Sequence, residues 1–203
     1  ALWDAGYGGW ESLAVMQYRV APIAGIDVSQ SAVRSADLWA DMTGEPRMAE
    51  WENIPSSNSL KAEMDEAFPD RDKASDGSIG DTAHAASSSD HNPDETGATP
   101  YEDADDDNEV HARDLDSGLN RPGWTIARVF EIIRKRAEAG TEVRVQNLIQ
   151  NRRITSRSWS FSEWRPYTGS NPHVEHGHVG FRYGSGAAPG NPEKITSPWG
   201  ILS

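Results

Sequence analysis

The stretch that decides the fold runs Asn171-Pro172-His173-Val174-Glu175-His176-Gly177-His178-Val179-Gly180-Phe181. In an extended strand, successive side chains point to opposite faces, so His176 and His178 project from the same face. Val179 and Phe181 project from the other face, where they can pack into a core. The stretch therefore predicts a strand with one apolar face and one face whose imidazoles can bind a metal ion or carry a proton.

A metal site needs further ligands from elsewhere in the chain. A catalytic zinc ion takes three protein ligands and leaves one position for water. The chain contains no cysteine, so any ligands are histidines and carboxylates. We assign His91, Asp114 and His178 as the three ligands. Asp116 lies on the same face of the strand predicted over residues 110–116, so the choice between Asp114 and Asp116 stays open.

Hydrolysis at such a site also needs a group that takes a proton from water. Glu175 and His176 are the two candidates. If residues 175–178 form a regular strand, Glu175 faces away from His178 and His176 is the better base. If the chain is irregular before Gly177, Glu175 can serve.

The remaining histidines are assigned by position. We expect His84 to be a helix or loop residue, and His111 to point away from Asp114. His173 has two open interpretations, a residue that orients a ligand or an ordinary surface residue.

Composition limits the classes of function. The chain has 203 residues, of which 36% are hydrophobic, which suits one core with polar segments outside it. The net charge of -13 repels phosphate backbones and anionic lipid headgroups, so we expect neither nucleic acid nor a membrane as partner. No apolar run reaches the roughly 18 residues of a membrane span. The first residues lack the features of a signal peptide.

Periodicity places the regular elements. Apolar residues at helical spacing predict helices within residues 29–42, 57–68 and 124–139, and a short helix starting at Asp81. Strands are predicted over residues 110–116, 141–149, 151–155 and 177–182. Ser57 or Ser59 is expected to cap the second helix.

An acidic insertion spans residues 94–109 and carries eight acidic side chains. The run from Asp103 to Asp107 invites a calcium-site interpretation, but it lacks the Gly and the closing Glu of an EF-hand loop. Blocks of like charge usually stay hydrated, so we expect a solvated loop.

The order of motifs resembles a family of zinc peptidases. Ser89-x-His91, Gly97, Ala112-x-Asp114 and Glu175-x-x-His178 resemble the Ser-x-His-x-x-Gly-x-Ala-x-Asp and Glu-x-x-His signatures of D-Ala-D-Ala and murein peptidases. These enzymes share a fold with lysostaphin-type enzymes and the hedgehog signalling domain. The sequence segments at residues 75–81 and 90–93 are similar to those of phage and actinobacterial members of this family. The acidic insertion lengthens the family's usual spacing, which costs little loop-closure entropy.

The resemblance implies a small α+β domain with an antiparallel sheet, flanking helices and a Zn²⁺ site over residues 71–183. Residues 1–70 are expected to form a mainly helical segment, which either packs only on its own domain or docks to the cell wall or to a virion partner, and residues 184–203 a Gly/Pro-rich tail. An arginine that binds the substrate carboxylate is expected, with Arg71 as the nearest candidate and Arg153 and Arg165 behind it.

The implied function is hydrolysis of amide bonds in bacterial peptidoglycan peptides by a phage lytic or virion-associated enzyme. The protein would act from a phage virion or the host cytoplasm, or as a secreted protein if the chain is a mature form. The alternative is a non-catalytic phage structural or wall-binding protein that retains the metal-binding fold.

Overall fold

A computed structural model describes residues 50–184 and 190–202. The helix predicted within residues 29–42 lies outside the described residues, as does most of the expected helical segment 1–70. The regular elements in chain order are β1 (Glu52–Asn53), α1 (Pro55–Ala67), α2 (Thr82–Ala85), β2 (Glu109–Val110), β3 (Ala112–Asp116), α3 (Ile126–Glu138), β4 (Val145–Gln150), β5 (Arg153–Ser156), β6 (Arg165–Pro166) and β7 (His176–Phe181). A 3₁₀ turn at Arg157–Trp159 follows β5, and another at Pro192–Lys194 lies near the C-terminus.

The main sheet has five strands in the order β3-β7-β4-β5-β6, and every neighbouring pair in it is antiparallel. β1 and β2 form a separate two-stranded parallel pair. The predicted α+β class with an antiparallel sheet is confirmed. Asn151 and Arg152 form the two-residue turn of the β4–β5 hairpin. Both have positive φ, which a type I′ turn requires at its two central residues.

The core lies between α3 and one face of the sheet. Val129, Phe130 and Ile133 of α3 are buried, and Val179 and Phe181 of β7 face them, as the alternation along β7 predicts. Gly177 lets α3 approach this strand closely, because an added Cβ there would lie 2.6 Å from Phe130 Cζ. The histidines of β7 are therefore on the face that points away from α3.

Helix α1 belongs to the same core. Leu60, Met64 and Phe68 are buried, as their spacing predicts, and they cluster with α3 and the sheet. The helix begins at Pro55 rather than at a serine cap, since the fixed φ of proline suits the first helical position. Among the described residues, α1 therefore packs in one core with α3 and the sheet.

The C-terminal residues also complete the core, contrary to the expected tail. Trp199 and Ile201 are fully buried. Both donate their backbone N–H groups to the carboxylate of Glu63 on α1. Burial of an indole and a branched side chain stabilises the fold by roughly 1.5–3 kcal/mol each.

Within the described residues, no helix has the length and hydropathy needed to cross a bilayer.

Candidate metal centre

The three predicted ligands come together on the face of the sheet that points away from α3. β3 and β7 pair so that Asp114 lies directly opposite His178, which puts both side chains on one face. His91 reaches the same place from the loop before the acidic insertion. His91 Nε2 lies 3.0 Å from His178 Nδ1 and 3.5 Å from Asp114 Oδ1, and His178 Nδ1 lies 3.1 Å from Asp114 Oδ1.

These separations fit a single metal ion. Ligand atoms bonded at about 2.0–2.1 Å in a tetrahedron lie about 3.3 Å apart. Two imidazole nitrogens and one carboxylate oxygen are also a donor set that divalent metals accept. The three side chains are therefore compatible with a bound metal ion.

Backbone contacts hold the ligands in place. His91 Nδ1 donates to the carbonyl of Ser78 at 2.5 Å, which leaves Nε2 to face Asp114. The backbone of Gly77 exchanges two hydrogen bonds with that of Asp114, at 2.8 and 3.2 Å. One segment, residues 75–78, thus orients a ligand from the loop and a ligand from β3.

The electrostatics of the cluster keep Asp114 ionised. Burial acts to raise the pKa of Asp114, but hydrogen bonds and charge from His178 and His91 hold it well below its usual value. Burial likewise acts to lower the pKa of His91, and the Asp114 carboxylate overcomes this and raises it. The carboxylate is therefore available as an anionic ligand at neutral pH.

Asp116 has a different role from Asp114. Its carboxylate accepts hydrogen bonds from the backbone and hydroxyl of Ser75, at 3.0 and 2.6 Å, and from the backbone of Gly118 at 2.8 Å. These contacts tie β3 to the segment that orients His91. Of the two aspartates that the sequence left open as a metal ligand, Asp114 is therefore the one that faces the histidines.

The two candidate bases differ in position. His176 Nε2 lies 3.5 Å from Asp114 Oδ2, is buried, and has no hydrogen-bond partner within the described residues. Glu175 precedes β7 in an irregular segment, and its side chain is exposed. Only its carbonyl forms hydrogen bonds in the part of the chain that the structure describes, with Ser117 and Ser75. His176 is therefore the group next to the cluster.

His173 is closer to the site than its sequence position indicates. The residue is buried, and its ring lies 5.1 Å from the ring of His176 and 5.5 Å from that of His178. Burial and the neighbouring histidines lower the pKa of His173 to about 4, so it is neutral at pH 7. Asp114, His173 and His176 also meet the distance requirement for a metal site. In the sequence, only the position of His173 in the same stretch as His176 and His178 indicated that it lies near the site.

The other histidines lie outside this centre. His84 pairs with Asp81 at 2.8 Å, and its ring lies 5.1 Å from that of His91. His111 sits between β2 and β3, which interrupts the single strand predicted there, and it faces a separate group of carboxylates.

Arg71, the first candidate for the substrate carboxylate, is occupied by the protein itself. Its guanidinium binds Asp76 with two nitrogens and Asp65 at 2.8 Å, and its side chain has 0% exposure. Bidentate pairing of this kind fixes geometry. Arg71 thus anchors the segment leading to Gly77 and is not positioned to bind a substrate, which corrects the expectation for this residue.

The other two arginines lie on opposite faces of the sheet. Arg153 pairs with Gln150 in a row that faces α3, and its guanidinium lies 5.7 Å from the ring of Trp164. Arg165 is opposite Ile154, in the row that also contains His178. The alternation of side chains therefore puts Arg165 on the same face as the metal cluster and Arg153 on the other face.

Comparisons of the chain with protein-family models, with curated proteins and with solved structures find no match.

Proposed function

We propose that the protein is a zinc-dependent peptidase that hydrolyses amide bonds in bacterial peptidoglycan peptides. The observation that carries the proposal is the convergence of His91 Nε2, His178 Nδ1 and Asp114 Oδ1 within 3.0–3.5 Å of one another. Two neutral imidazoles and one carboxylate are a ligand set of catalytic zinc sites, in which a coordination position stays open. The peptidoglycan substrate, and delivery from a phage virion or host cytoplasm, rest on the resemblance of the sequence motifs.

A bound zinc ion would supply Lewis acidity, which activates water and polarises an amide carbonyl. The chain would supply the proton transfer. His176 Nε2 is buried, lies next to Asp114 and has no hydrogen-bond partner among the residues that the structure describes, so it can accept a proton from water and donate it to the leaving amine. His173, neutral and packed edge-on against His176, would hold that ring in position. Glu175 remains the alternative proton carrier.

A row of side chains on one face of the sheet leads from the metal cluster to Arg165. Asp114, His178, Ile149, Ile154 and Arg165 are successive cross-strand neighbours on one face. Arg165 is three strand spacings from His178, or about 14 Å. An extended peptide covers that distance with about four residues. Arg165 pairs with Glu163 at 2.9 Å, but 49% of its side chain is exposed, so a carboxylate of the stem peptide could bind it in place of Glu163.

The direct test is release of peptides from purified peptidoglycan by the full chain. We expect cleavage that is abolished by a chelator and restored by Zn²⁺. His91→Ala should lose both zinc and cleavage. His176→Gln should keep zinc but cleave at least about 100-fold more slowly, as expected for loss of a general base. Glu66→Gln, a substitution of an exposed side chain on α1, is the control and should retain activity.

Two results would contradict the proposal. Zinc-loaded protein that cleaves no peptidoglycan would leave the non-catalytic, wall-binding protein as the better account. Loss of cleavage in Glu175→Gln, with His176→Gln unaffected, would overturn the role given to His176.

A further inference from the structure

A second group of metal-ligand side chains surrounds His111 and shares no residue with the centre at Asp114. It comprises one ligand atom each from Asp103, Glu109, His111 and Glu193, and these atoms lie within 4.8 Å of one another. Asp94 borders the group, with Oδ2 3.4 Å from His111 Nδ1. The group joins the acidic insertion to the C-terminal 3₁₀ turn.

The group is buried, contrary to the solvated loop expected for the acidic insertion. The side chains of Asp103 and Asp94 are 1% and 2% exposed, and those of Glu109, His111 and Glu193 are 0% exposed. Only part of the insertion is hydrated, for example Asp107 with 65% exposure. The sequence could not separate these aspartates, because their burial depends on Glu193 and His111, which lie far away in the chain.

Several buried polar atoms in the group lack hydrogen-bond partners among the described residues. They are Asp94 Oδ2, Asp103 Oδ2, Glu109 Oε2 and His111 Nδ1. Buried polar atoms are nearly always satisfied in folded proteins, so these atoms call for a bound ion or water. His111 Nε2 lies 3.1 Å from Glu193 Oε2 and 3.8 Å from Asp103 Oδ2, whereas Nδ1 faces Asp94 on the other side of the ring. Asp103 and Glu193 therefore share the Nε2 side of the imidazole, and Asp94 stands apart from them.

The negative charge of the group also favours a bound cation. Four buried carboxylates face one ammonium group and one imidazole. Lys194 Nζ bonds Glu109 Oε1 at 2.8 Å, so Glu109 Oε2 is left facing the cluster.

We propose that Asp103, Glu109, His111 and Glu193 bind a second divalent cation, with Asp94 at its border. Three carboxylates and one imidazole favour an oxygen-preferring ion, Mn²⁺ or Ca²⁺, whereas the centre with two imidazoles favours zinc. The cation would fasten the acidic insertion to the C-terminal turn. Tyr183 stacks on His111 at 3.9 Å and donates to Asp90 at 3.0 Å, so the same ion would steady the loop that carries His91.

Metal counting on the full chain tests this site without reference to peptidase activity. The metal-free protein is loaded with Zn²⁺, then with Mn²⁺ or Ca²⁺, and metal per chain and Tm are measured. We expect one zinc ion and one further cation. At a cation concentration about 100 times Kd, the second ion should raise Tm by about 5–10 °C.

Matched variants locate the ion. Asp103→Asn should lose the second cation and the rise in Tm, while Asp106→Asn, an exposed residue of the same loop, should keep both. Glu193→Gln gives an independent check should Asp103→Asn fold poorly. His91→Ala should lose zinc but keep the second cation, which separates this site from the proposed catalytic centre.

The proposal is overturned if neither Mn²⁺ nor Ca²⁺ binds the zinc-loaded wild-type chain. It is equally overturned if Asp103→Asn, or Glu193→Gln in its place, takes up as much cation as Asp106→Asn.

Discussion

Asp114 and Asp116 have the same side-chain type on the same face of β3, yet the surrounding contacts give them different functions. Asp114 faces His91 and His178, whereas Asp116 accepts hydrogen bonds from Ser75 and Gly118. Alternation along a strand gives the face of a side chain but not its neighbours across the strand. For this reason the sequence left both aspartates as possible ligands.

A pair of variants separates these roles. Asp114→Asn should weaken zinc binding by at least about 100-fold, since it removes a charged ligand. Asp116→Asn should keep zinc affinity within about 10-fold and lower the free energy of unfolding by about 1–3 kcal/mol, because the partly buried donors of Ser75 and Gly118 lose a charged acceptor. A competitive zinc titration and urea unfolding measure the two effects. The reverse pattern, with zinc lost in Asp116→Asn alone, would contradict the assignment.

At the scale of elements, α1 is connected to the metal centre through ion pairs. Asp65 on α1 binds Arg71, and Arg71 binds Asp76, which precedes the Gly77 contact to β3. The position of α1 in the core thus bears on the position of Asp114. The helical periodicity of α1 predicted its buried stripe but not these ion pairs, since the pairs depend on a turn at residues 68–72.

The Asp65 ion pairs predict a pH dependence of stability. Burial alone would raise the pKa of Asp65, but hydrogen bonds from Lys61, Lys73 and Arg71 lower it from 3.8 to about 2. A depressed folded-state pKa stabilises the fold above the unfolded value of 3.8, and this stabilisation disappears as pH falls through about 2. With a discount for the partial exposure of Asp65, the effect is about 1–2 kcal/mol at neutral pH.

Asp65→Asn should therefore be less stable than wild type at neutral pH by this amount, and the difference should shrink between about pH 4 and pH 2. Urea unfolding over this pH range measures it. Glu66→Gln, an exposed neighbour on the same helix, is the control and should track wild type. A difference for Asp65→Asn that stays constant down to pH 2 would show that packing, rather than charge, is responsible.

At the scale of the whole molecule, the sequence predicted the parts better than their assembly. The α+β class could be predicted because periodicity is a local signal, whereas His91, Asp114 and His178 could be proposed as one site only because the order of their motifs resembles a known signature. The core role of Trp199 and the burial of Asp103 could not, because both depend on contacts between distant segments. The Gly/Pro-rich composition of residues 184–203 indicated a tail, and the acidic composition of residues 94–109 indicated a solvated loop. Packing against distant segments buries side chains in both.

The central claim is that distant segments of the chain hold one metal ion at Asp114. Anomalous X-ray scattering at the zinc edge, from crystals of the zinc-loaded chain, tests it most directly. We predict a peak about 2.0–2.2 Å from His91 Nε2, His178 Nδ1 and Asp114 Oδ1. A peak held instead by His173 and His176, or the three predicted ligands lying apart with no ion between them, would contradict the account.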